Sequence, residues 1–413
     1  MGIRFFTAGE SHGKALTGIL EGIPSGLFIS ADDDIDKDLK RRQGGYGRGG
    51  RMKIETDHAE ILSGVRWGKA IGSPISIFIE NRDWANWQDI MRAEGREQRA
   101  EGRAVTRPRP GHADLAGALK YDTHDIRNIL ERSSARETAM RVALGAIAKK
   151  FLSDFNVMIG SYVVQIGKIQ VSSFSPQASR RGDKFQVSSS EKELLEIFKK
   201  AEKSPVRCPD KNASQKMVAL IDKAIKEGNS IGGIFEVFVT GLPTGLGSYI
   251  QWDQKLDGKL AQALMSIQAI KGVEIGMGFE MGRRFGSEVM DEIFYSQKPE
   301  ARSQKSGGFF RKTNNAGGIE GGMTNGMPVI LRAVMKPIPT LRKPLGSVDI
   351  NTKKPFKAAY ERSDVCAVPA AGVVGEAMAA LVIAGAFLEK FGGDSMSEVK
   401  RNYNSYLKYL SKF

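Results

Sequence analysis

The stretch AMAALVIAGAFL, residues 377–388, is the most apolar in the chain and lies between Glu376 and Glu389. It is shorter than the roughly 18 residues that a membrane-spanning helix requires. An apolar run of this length predicts instead a helix that is buried in the protein core. The rest of the chain must therefore supply the elements that cover it.

The overall composition is that of a folded globular protein. Of the 413 residues, 41% are hydrophobic and 26% are charged, which excludes disordered and collagen-like chains. The two cysteines, Cys208 and Cys366, are far apart and have no partner at metal-ligand spacing, so neither a disulfide framework nor a metal site is predicted. No export signal is evident near the N-terminus, and we expect a cytoplasmic protein.

Apolar periodicity predicts both helices and strands around the buried helix. Helices are predicted at 135–152, 191–203 and 214–227, and strands at 72–80, 158–167 and 231–241. Ser134 and Glu137 have the spacing of a capping box at the start of the first helix, and a helix N-terminus favours anions. We predict one domain over residues 1–413, in which 169–190 is a surface excursion.

Two of the four histidines lie in glycine-bearing motifs, GESHG at 9–13 and RPGHAD at 109–114. Glycine permits sharp turns and close approach of a ligand, and histidine titrates near neutrality. His12 and His112 are therefore candidates for proton transfer. The serine beside His12 lacks the Gly-x-Ser-x-Gly spacing of a nucleophile elbow, which excludes that type of serine hydrolase.

Arginine is concentrated in a few short segments of a chain whose net charge is +14. The groups are RRQGGYGRGGR at 41–51, Arg107 and Arg109, and Arg127, Arg132, Arg136 and Arg141. The planar guanidinium binds phosphate and carboxylate in a bidentate manner, so these groups predict a small polyanionic ligand. The alternative for 41–51 is an RNA-binding arginine–glycine segment. Against that alternative, the run continues directly into MKIETD at 52–57, which is typical of a folded strand.

Three further motifs follow in the second half of the chain: NNAGGIEGGMTNG at 314–326, KPIPTL at 336–341 and RSD at 362–364. The first is too rich in glycine for the interior of a helix or strand and could cradle a flat cofactor or a phosphate. It has neither the ending of a P-loop nor the spacing of a dinucleotide fingerprint. Nucleotide-binding folds of those two kinds are therefore excluded.

Taken together and in this order, the motifs resemble the chorismate synthase family over essentially the whole chain. The resemblance implies a carbon–oxygen lyase that converts 5-enolpyruvylshikimate-3-phosphate to chorismate by 1,4-anti elimination of phosphate, in the last step of the shikimate pathway of aromatic amino-acid biosynthesis. It implies reduced FMN as cofactor, without net redox change. The implied fold is α+β, a β-α-β sandwich with internal pseudo-two-fold symmetry, antiparallel sheets at the centre and helices outside. The implied assembly is a homotetramer.

The resemblance also implies roles for individual residues. His12 would protonate the departing phosphate, His112 would protonate or stabilise the reduced flavin near N1, and Asp364 would act at flavin N5. The implied anion-binding residues are Arg42, Arg48, Arg51, Arg109 and Arg136, of which Arg42 and Arg48 also match positions linked to NADPH. The implied flavin contacts are Arg132, Ser133, Ser134, Gln268, Ala269, Gly321, Lys336, Pro337, Ile338, Pro339, Thr340 and Arg362. No metal, nucleic acid or membrane is expected as a partner.

The sequence leaves open whether the chain reduces its own flavin. Some members of the family also reduce their own FMN with NADPH. The 413 residues contain no obvious additional reductase domain, which favours a monofunctional enzyme.

Overall fold

The computed structural model describes residues 2–49, 56–94, 104–171, 187–188, 190–296, 305–359 and 364–413. Arg51, Arg362 and most of the predicted excursion at 169–190 lie outside these ranges. Their expected roles therefore stay predictions. The strands are β1 (Arg4–Ala8), β2 (Ala15–Glu21), β3 (Glu60–Ser63), β4 (Val65–Arg66), β5 (Lys69–Ala70), β6 (Ile75–Glu80), β7 (Met158–Ile166), β8 (Ile169–Gln170), β9 (Gly233–Thr240), β10 (Ile270–Ile275), β11 (Ile293–Tyr295), β12 (Phe309–Arg311), β13 (Ile319–Glu320), β14 (Met323–Thr324), β15 (Val329–Met335), β16 (Gly346–Val348) and β17 (Pro355–Lys357). The helices are α1 (Lys37–Gln43), α2 (Asp114–Lys120), α3 (Arg127–Ser133), α4 (Thr138–Ser153), α5 (Glu191–Glu202), α6 (Lys211–Lys226), α7 (Leu256–Met265), α8 (Gly286–Val289), α9 (Val368–Phe391) and α10 (Met396–Leu410).

The apolar stretch forms the second half of α9, which is longer than the stretch itself. Pro369 stands in its first turn, where the missing N–H of proline costs no helical hydrogen bond. The helix has the length and mean hydropathy, 2.0, of a membrane-spanning segment, but 89% of its apolar window is buried inside the protein. The prediction of a buried core helix is confirmed.

Helices α4 and α9 pack against each other at unusually close range. A Cβ atom at Gly145 of α4 would lie 2.6 Å from Cα of Ala377 in α9. On its other side α4 packs on β2, where a Cβ at Gly18 would lie 2.5 Å from Sδ of Met140. Likewise, α9 packs on the strands β7 and β9. Glycines at these crossings allow the backbones to approach without a side chain between them.

The strands form two main antiparallel sheets, one with the order β1-β2-β6-β3 and the other with the order β10-β15-β9-β7-β8. Helices with antiparallel sheets confirm the α+β class. The expected layer order, with sheets at the centre and helices outside, is wrong for α4 and α9, which lie between the two sheets. The reason is that α9 is apolar on nearly every face, with Glu376 as a buried exception, and is stable only where neighbours cover it all round.

Most of the elements predicted from periodicity are present, with shifted ends. The strands predicted at 158–167 and 231–241 are β7 and β9, and the helices predicted at 191–203 and 214–227 are α5 and α6. The helix predicted at 135–152 starts at Thr138, after a 3₁₀ turn. Ser134 caps that turn by accepting from the N–H of Arg136, and the Glu137 carboxylate accepts from Arg141 and Gln268. The prediction of a reciprocal capping box is therefore wrong, because the Glu137 side chain binds residues from other parts of the fold instead of the backbone of Ser134.

The close crossing of α4 and α9 leads to a stability prediction. We expect Gly145→Ala to lower the free energy of unfolding by about 1–3 kcal/mol, because the added methyl group forces the two helices apart. Thermal and urea unfolding measure the change. The matched control is Gly258→Ala in α7, where a Cβ would meet nothing closer than 3.9 Å. Equal stability of the two variants would contradict the role given to the crossing.

Candidate active site

His12 lies in the turn after β1 and forms a pair with a carboxylate of α3. Its backbone N–H donates to Oε2 of Glu131 at 2.7 Å, and its Nδ1 lies 2.8 Å from Oε1 of the same carboxylate. The Glu131 side chain is only 1% exposed. A carboxylate at Nδ1 favours the tautomer with the proton on Nδ1, with Nε2 on the edge of the ring away from Glu131.

Aromatic and cationic neighbours hold this pair in place. The rings of His12 and Trp87 stack with their centroids 3.8 Å apart, and Nη1 of Arg127 lies 3.4 Å from Oε1 of Glu131. Burial by itself raises the pKa of the Glu131 carboxyl, but the hydrogen bonds from His12 and the charge of Arg127 lower that pKa below its usual value. Glu131 is therefore a carboxylate at neutral pH, next to the imidazole.

Two of the predicted anion-binding arginines, Arg42 and Arg136, meet in a buried cluster beside the His12 turn. Nη1 of Arg136 donates to Oδ1 of Asp57 at 2.6 Å, and Nη1 of Arg42 lies 3.5 Å from the other oxygen of the same carboxylate. Nε of Arg136 donates to Oδ1 of Asn81. The amide nitrogen of Asn81 in turn donates to the carbonyl of Gly13 at 2.6 Å. The cluster is thus joined to the turn that carries His12.

Arg48 and Asp364, predicted as separate functional residues, form an ion pair. Nη1 of Arg48 lies 2.9 Å from Oδ2 of Asp364, and the backbone N–H of Gly49 donates to Oδ1 at 2.7 Å. Burial lowers the pKa of Arg42 to about 10, against the charges of Asp57 and Asp364 and together with those of Arg48 and Arg136. Three guanidinium groups therefore lie close enough to the carboxylates of Asp57 and Asp364 to influence one another, and such a group of arginines favours binding of an anion.

His112 has the same kind of partner as His12. Its Nδ1 lies 2.6 Å from Oδ1 of Asp114, and Nε of Arg109 donates to the other oxygen at 2.8 Å. Nη1 of Arg109 also donates to Oγ1 of Thr340 at 3.0 Å. Burial alone would raise the pKa of Asp114, but His112 and Arg109 hold the pKa well below its usual range. Each of the two histidines therefore contacts a buried, ionised carboxylate through its Nδ1 atom.

A chain of contacts connects the His112 cluster to the start of α4. Nζ of Lys336 donates to the carbonyl of Gly111 at 2.9 Å, and its backbone N–H donates to the carbonyl of Ala269. The neighbouring Gln268 donates from Nε2 to Glu137 at 2.6 Å, directly before α4. The two histidine clusters are therefore attached to one framework, although His112 reaches it through several residues.

Three observations make this connecting segment suitable for a cofactor. Oε1 of Gln268 is buried and has no hydrogen-bond partner among the residues that the structure describes. Ala269 has a φ of +66°, which is uncommon for a residue with a side chain and is typical of functional sites. Burial, with the nearby Lys271, lowers the pKa of Lys336. A polar, partly anionic ring edge fits this arrangement of an unsatisfied amide oxygen and a partly buried amine.

Other predicted flavin contacts have structural roles here. The Arg132 guanidinium donates to the carbonyls of Thr7 and Gly9 at 2.8 and 3.1 Å. Oγ of Ser134 donates to Ser11 at 3.1 Å. These side chains fix the turn that carries His12. Two more of the predicted flavin contacts make hydrogen bonds that involve a backbone carbonyl. Oγ of Ser133 donates to the carbonyl of Leu130, and the carbonyl of Ile338 accepts from Ser230.

Gly321 is not brought to the other predicted residues. It lies in the tight turn between β13 and β14, with a φ of +58°, and the carbonyl of Gly322 beside it accepts from the N–H of Leu256 at the start of α7. Gln268 follows the other end of α7, so the ten-residue helix separates the two by about 15 Å. Within the described residues, Pro337 and Pro339 have no side-chain hydrogen bond, as expected of proline.

Sequence reasoning missed the partners of the predicted residues. Glu131, Asp57, Asn81 and Trp87 were not singled out, although Glu131 directly precedes the predicted Arg132. Asp114 belongs to the RPGHAD motif, and its position two residues after His112 is a signal that the sequence contains. The contacts that matter join residues far apart in the chain: His12 and Glu131 are 119 residues apart, and Arg136 is 79 and 55 residues from Asp57 and Asn81.

A separate cleft of about 440 Å³ is lined by residues of α1, α4 and α5. Its charged side chains are paired with each other, for example Lys37 with Asp33 and Lys150 with Asp34. None of the predicted site residues lines it. This cleft is therefore not the predicted anion site.

Comparison with known proteins identifies the family. The family model described as chorismate synthase matches residues 3–388. Chorismate synthases of Geobacter metallireducens and Aquifex aeolicus are 58% and 56% identical over 411 residues, covering 100% of this chain and 100% and 99% of theirs. A crystal structure of a chorismate synthase, 46% identical, superposes with a TM-score of 0.78 over 100% of this chain and 99% of its own. The chain described here belongs to the chorismate synthase family.

Proposed function

We propose that this chain converts 5-enolpyruvylshikimate-3-phosphate to chorismate by eliminating phosphate and a ring hydrogen. The observation that carries the proposal is the buried cluster of Arg42 and Arg136 beside the paired His12 and Glu131. A substrate with a phosphate and two carboxylates is complementary in charge to these arginines. The acid needed by a departing phosphate is the neighbouring imidazole.

His12 acts as the general acid at its Nε2 atom. Glu131 holds Nδ1, stabilises the protonated ring and fixes its direction, while Trp87 restricts the ring from one face. This is the arrangement by which a buried carboxylate orients a catalytic imidazole. The arginine cluster stabilises the charge that develops on the leaving phosphate, an electrostatic contribution that is large in a site without water.

Gln268, Ala269 and Lys336 are proposed to hold reduced FMN, next to His112. Support comes from the unpartnered amide oxygen of Gln268 and from the partly buried amine of Lys336. When bound, reduced FMN supplies electron density to the substrate during the elimination. His112, which Asp114 and Arg109 hold in place, would protonate or stabilise the reduced flavin near N1. Asp364, held by Arg48 and Gly49, is the residue proposed at N5.

Several wider features of the family are part of the proposal. A homotetramer and a cytoplasmic location are expected, with residues 1–413 as one domain. Internal pseudo-two-fold symmetry is supported by the pairing of each antiparallel sheet with one long helix, α4 or α9. A monofunctional enzyme is favoured, and NADPH-dependent reduction of FMN by the chain itself is kept as the alternative. Measuring NADPH oxidation with FMN and no other reductase distinguishes a monofunctional from a bifunctional enzyme.

The activity assay tests the proposed function directly. Purified protein supplied anaerobically with reduced FMN and 5-enolpyruvylshikimate-3-phosphate is expected to form chorismate, measured by its absorbance. We expect His12→Ala and His112→Ala to lower kcat by about 10²–10⁴-fold, because each removes a proton-transfer group. Absence of product from the unaltered chain would refute the function.

The pairing of His12 with Glu131 leads to a second prediction. In Glu131→Gln the shape is kept but the charge beside the imidazole is lost, so we expect kcat to fall at least about tenfold with a smaller change in KM. The acid limb of the pH profile of kcat should also change, because the Glu131 carboxyl, whose pKa is lowered by His12 and Arg127, no longer titrates in this variant. The control is Glu280→Gln, whose carboxylate pairs with Arg283 and Arg284. A Glu131→Gln enzyme with an unchanged pH profile would argue against the pair.

A further inference from the structure

A buried carboxylate on α9, Glu376, binds three cationic side chains from three other parts of the chain. Its side chain is 0% exposed. Both oxygens accept from the Arg41 guanidinium at 2.7 Å, Nζ of Lys149 donates at 2.8 Å, and Nη2 of Arg207 donates at 3.2 Å. Oγ of Ser161 in β7 donates at 2.7 Å. The site described above uses none of these groups.

Arg41 is fixed more tightly than a surface arginine. Besides Glu376, it donates to Asp38 at 2.7 Å and to Glu202 at 2.9 Å. Burial alone would lower its pKa, but Glu376 and the other carboxylates raise the pKa above the ordinary value. Burial likewise favours the neutral form of Glu376, yet the cations hold its pKa well below the usual range. The bidentate pair is therefore fully charged and defines one orientation of Arg41.

Arg41 and Arg42 are neighbours on α1 and point to different partners. The guanidinium of Arg41 faces Glu376, whereas that of Arg42 donates to Oγ1 of Thr138 at 3.0 Å and to the carbonyl of Ala135 at 2.9 Å. Consecutive side chains on a helix diverge by about 100°. A rotation of α1 about its axis would therefore move both guanidinium groups together.

Helix α1 cannot keep a fixed orientation about its own axis without contacts to other elements. It has seven residues and continues directly from a π-helical turn, Ala31–Asp36, and a helical segment of this combined length is still marginal without tertiary contacts. After its last residue come Gly44, Gly45 and Gly47, the last two with φ of +108° and +87°, before Arg48 is reached. The helix and the glycine-rich segment thus have a fixed position only because other elements hold them.

We propose that Glu376 is a positioning residue for the anion site, which holds the rotation of α1 through Arg41 and thereby places the guanidinium of Arg42 for the substrate phosphate. The inference rests on the proposed function, since the substrate is the anion that Arg42 would bind. Stability alone is a poor reason for such a cluster, because well-packed apolar residues stabilise a core equally well or better than buried ion pairs. Its specific effect is to set an orientation, and Lys149 extends that effect to α4, which carries Thr138.

The test compares two buried glutamates. Glu376→Gln keeps the side-chain volume and removes the charge that orients Arg41. We expect KM for 5-enolpyruvylshikimate-3-phosphate to rise about tenfold while kcat falls less than about threefold, because binding of the phosphate is lost more than proton transfer. Steady-state kinetics with reduced FMN under anaerobic conditions give both constants, and thermal unfolding gives the stability of each variant.

The matched control is Glu236→Gln in β9. That carboxylate is also buried, and it accepts from Arg332 at 2.7 Å and from Tyr162. Neither partner belongs to α1 or to the proposed site. We expect comparable destabilisation and KM within about twofold of the unaltered chain. A similar rise of KM in both variants would overturn the proposal, because it would follow from lost stability alone.

A second variant covers failure of Glu376→Gln to fold. Arg41→Lys keeps the positive charge but loses the bidentate geometry, so we expect the same rise of KM at a smaller amplitude. Unchanged KM in a folded Glu376→Gln or Arg41→Lys enzyme overturns the positioning role. If the unaltered chain forms no chorismate, the proposed function itself fails, and that result is distinct from a normal unaltered enzyme with unaffected variants.

Discussion

The contact between α4 and α9 is the constraint on which the other parts of the structure depend. Because α9 is apolar on nearly all faces, it must be covered by both α4 and the five-stranded sheet. Gly145 allows α4 to approach Ala377 closely enough to do this. The four-stranded sheet then packs on the far side of α4. In this way the burial of one helix fixes the position of Thr138 and of the turn before it, where the anion site begins.

Buried carboxylates are the second organising feature. Glu131, Asp114, Asp57 and Glu376 each hold a histidine or an arginine in one orientation. Each burial is costly for a single charge and is offset only by several charge-assisted hydrogen bonds. The excess of positive charge in the chain is therefore not a diffuse surface property alone. Part of this positive charge lies in the interior, where a few buried carboxylates orient the basic side chains.

The arginine–glycine run shows how the tertiary structure decides between two hypotheses. As a sequence, 41–51 is compatible with an RNA-binding segment or with part of an anion pocket. In the structure, Arg41 and Arg42 belong to α1 and are bound by Glu376, Asp57 and backbone groups. An RNA-binding arginine–glycine segment is flexible and exposes its side chains to follow a nucleic-acid strand, whereas here both arginines lie on a folded helix, so the described part of the run supports the pocket.

The sequence alone determined the buried helix, most of the strands and helices, the two histidines and the arginines. These features follow from local periodicity and from short motifs, which are contained in neighbouring residues. Only the tertiary structure decided the layer order and the partners of the functional side chains. His12 and Glu131 are 119 residues apart in the chain, and no local pattern encodes such a pair. Their contact exists because packing of apolar surfaces brings the two segments together, and the polar side chains then pair with whatever charge lies opposite.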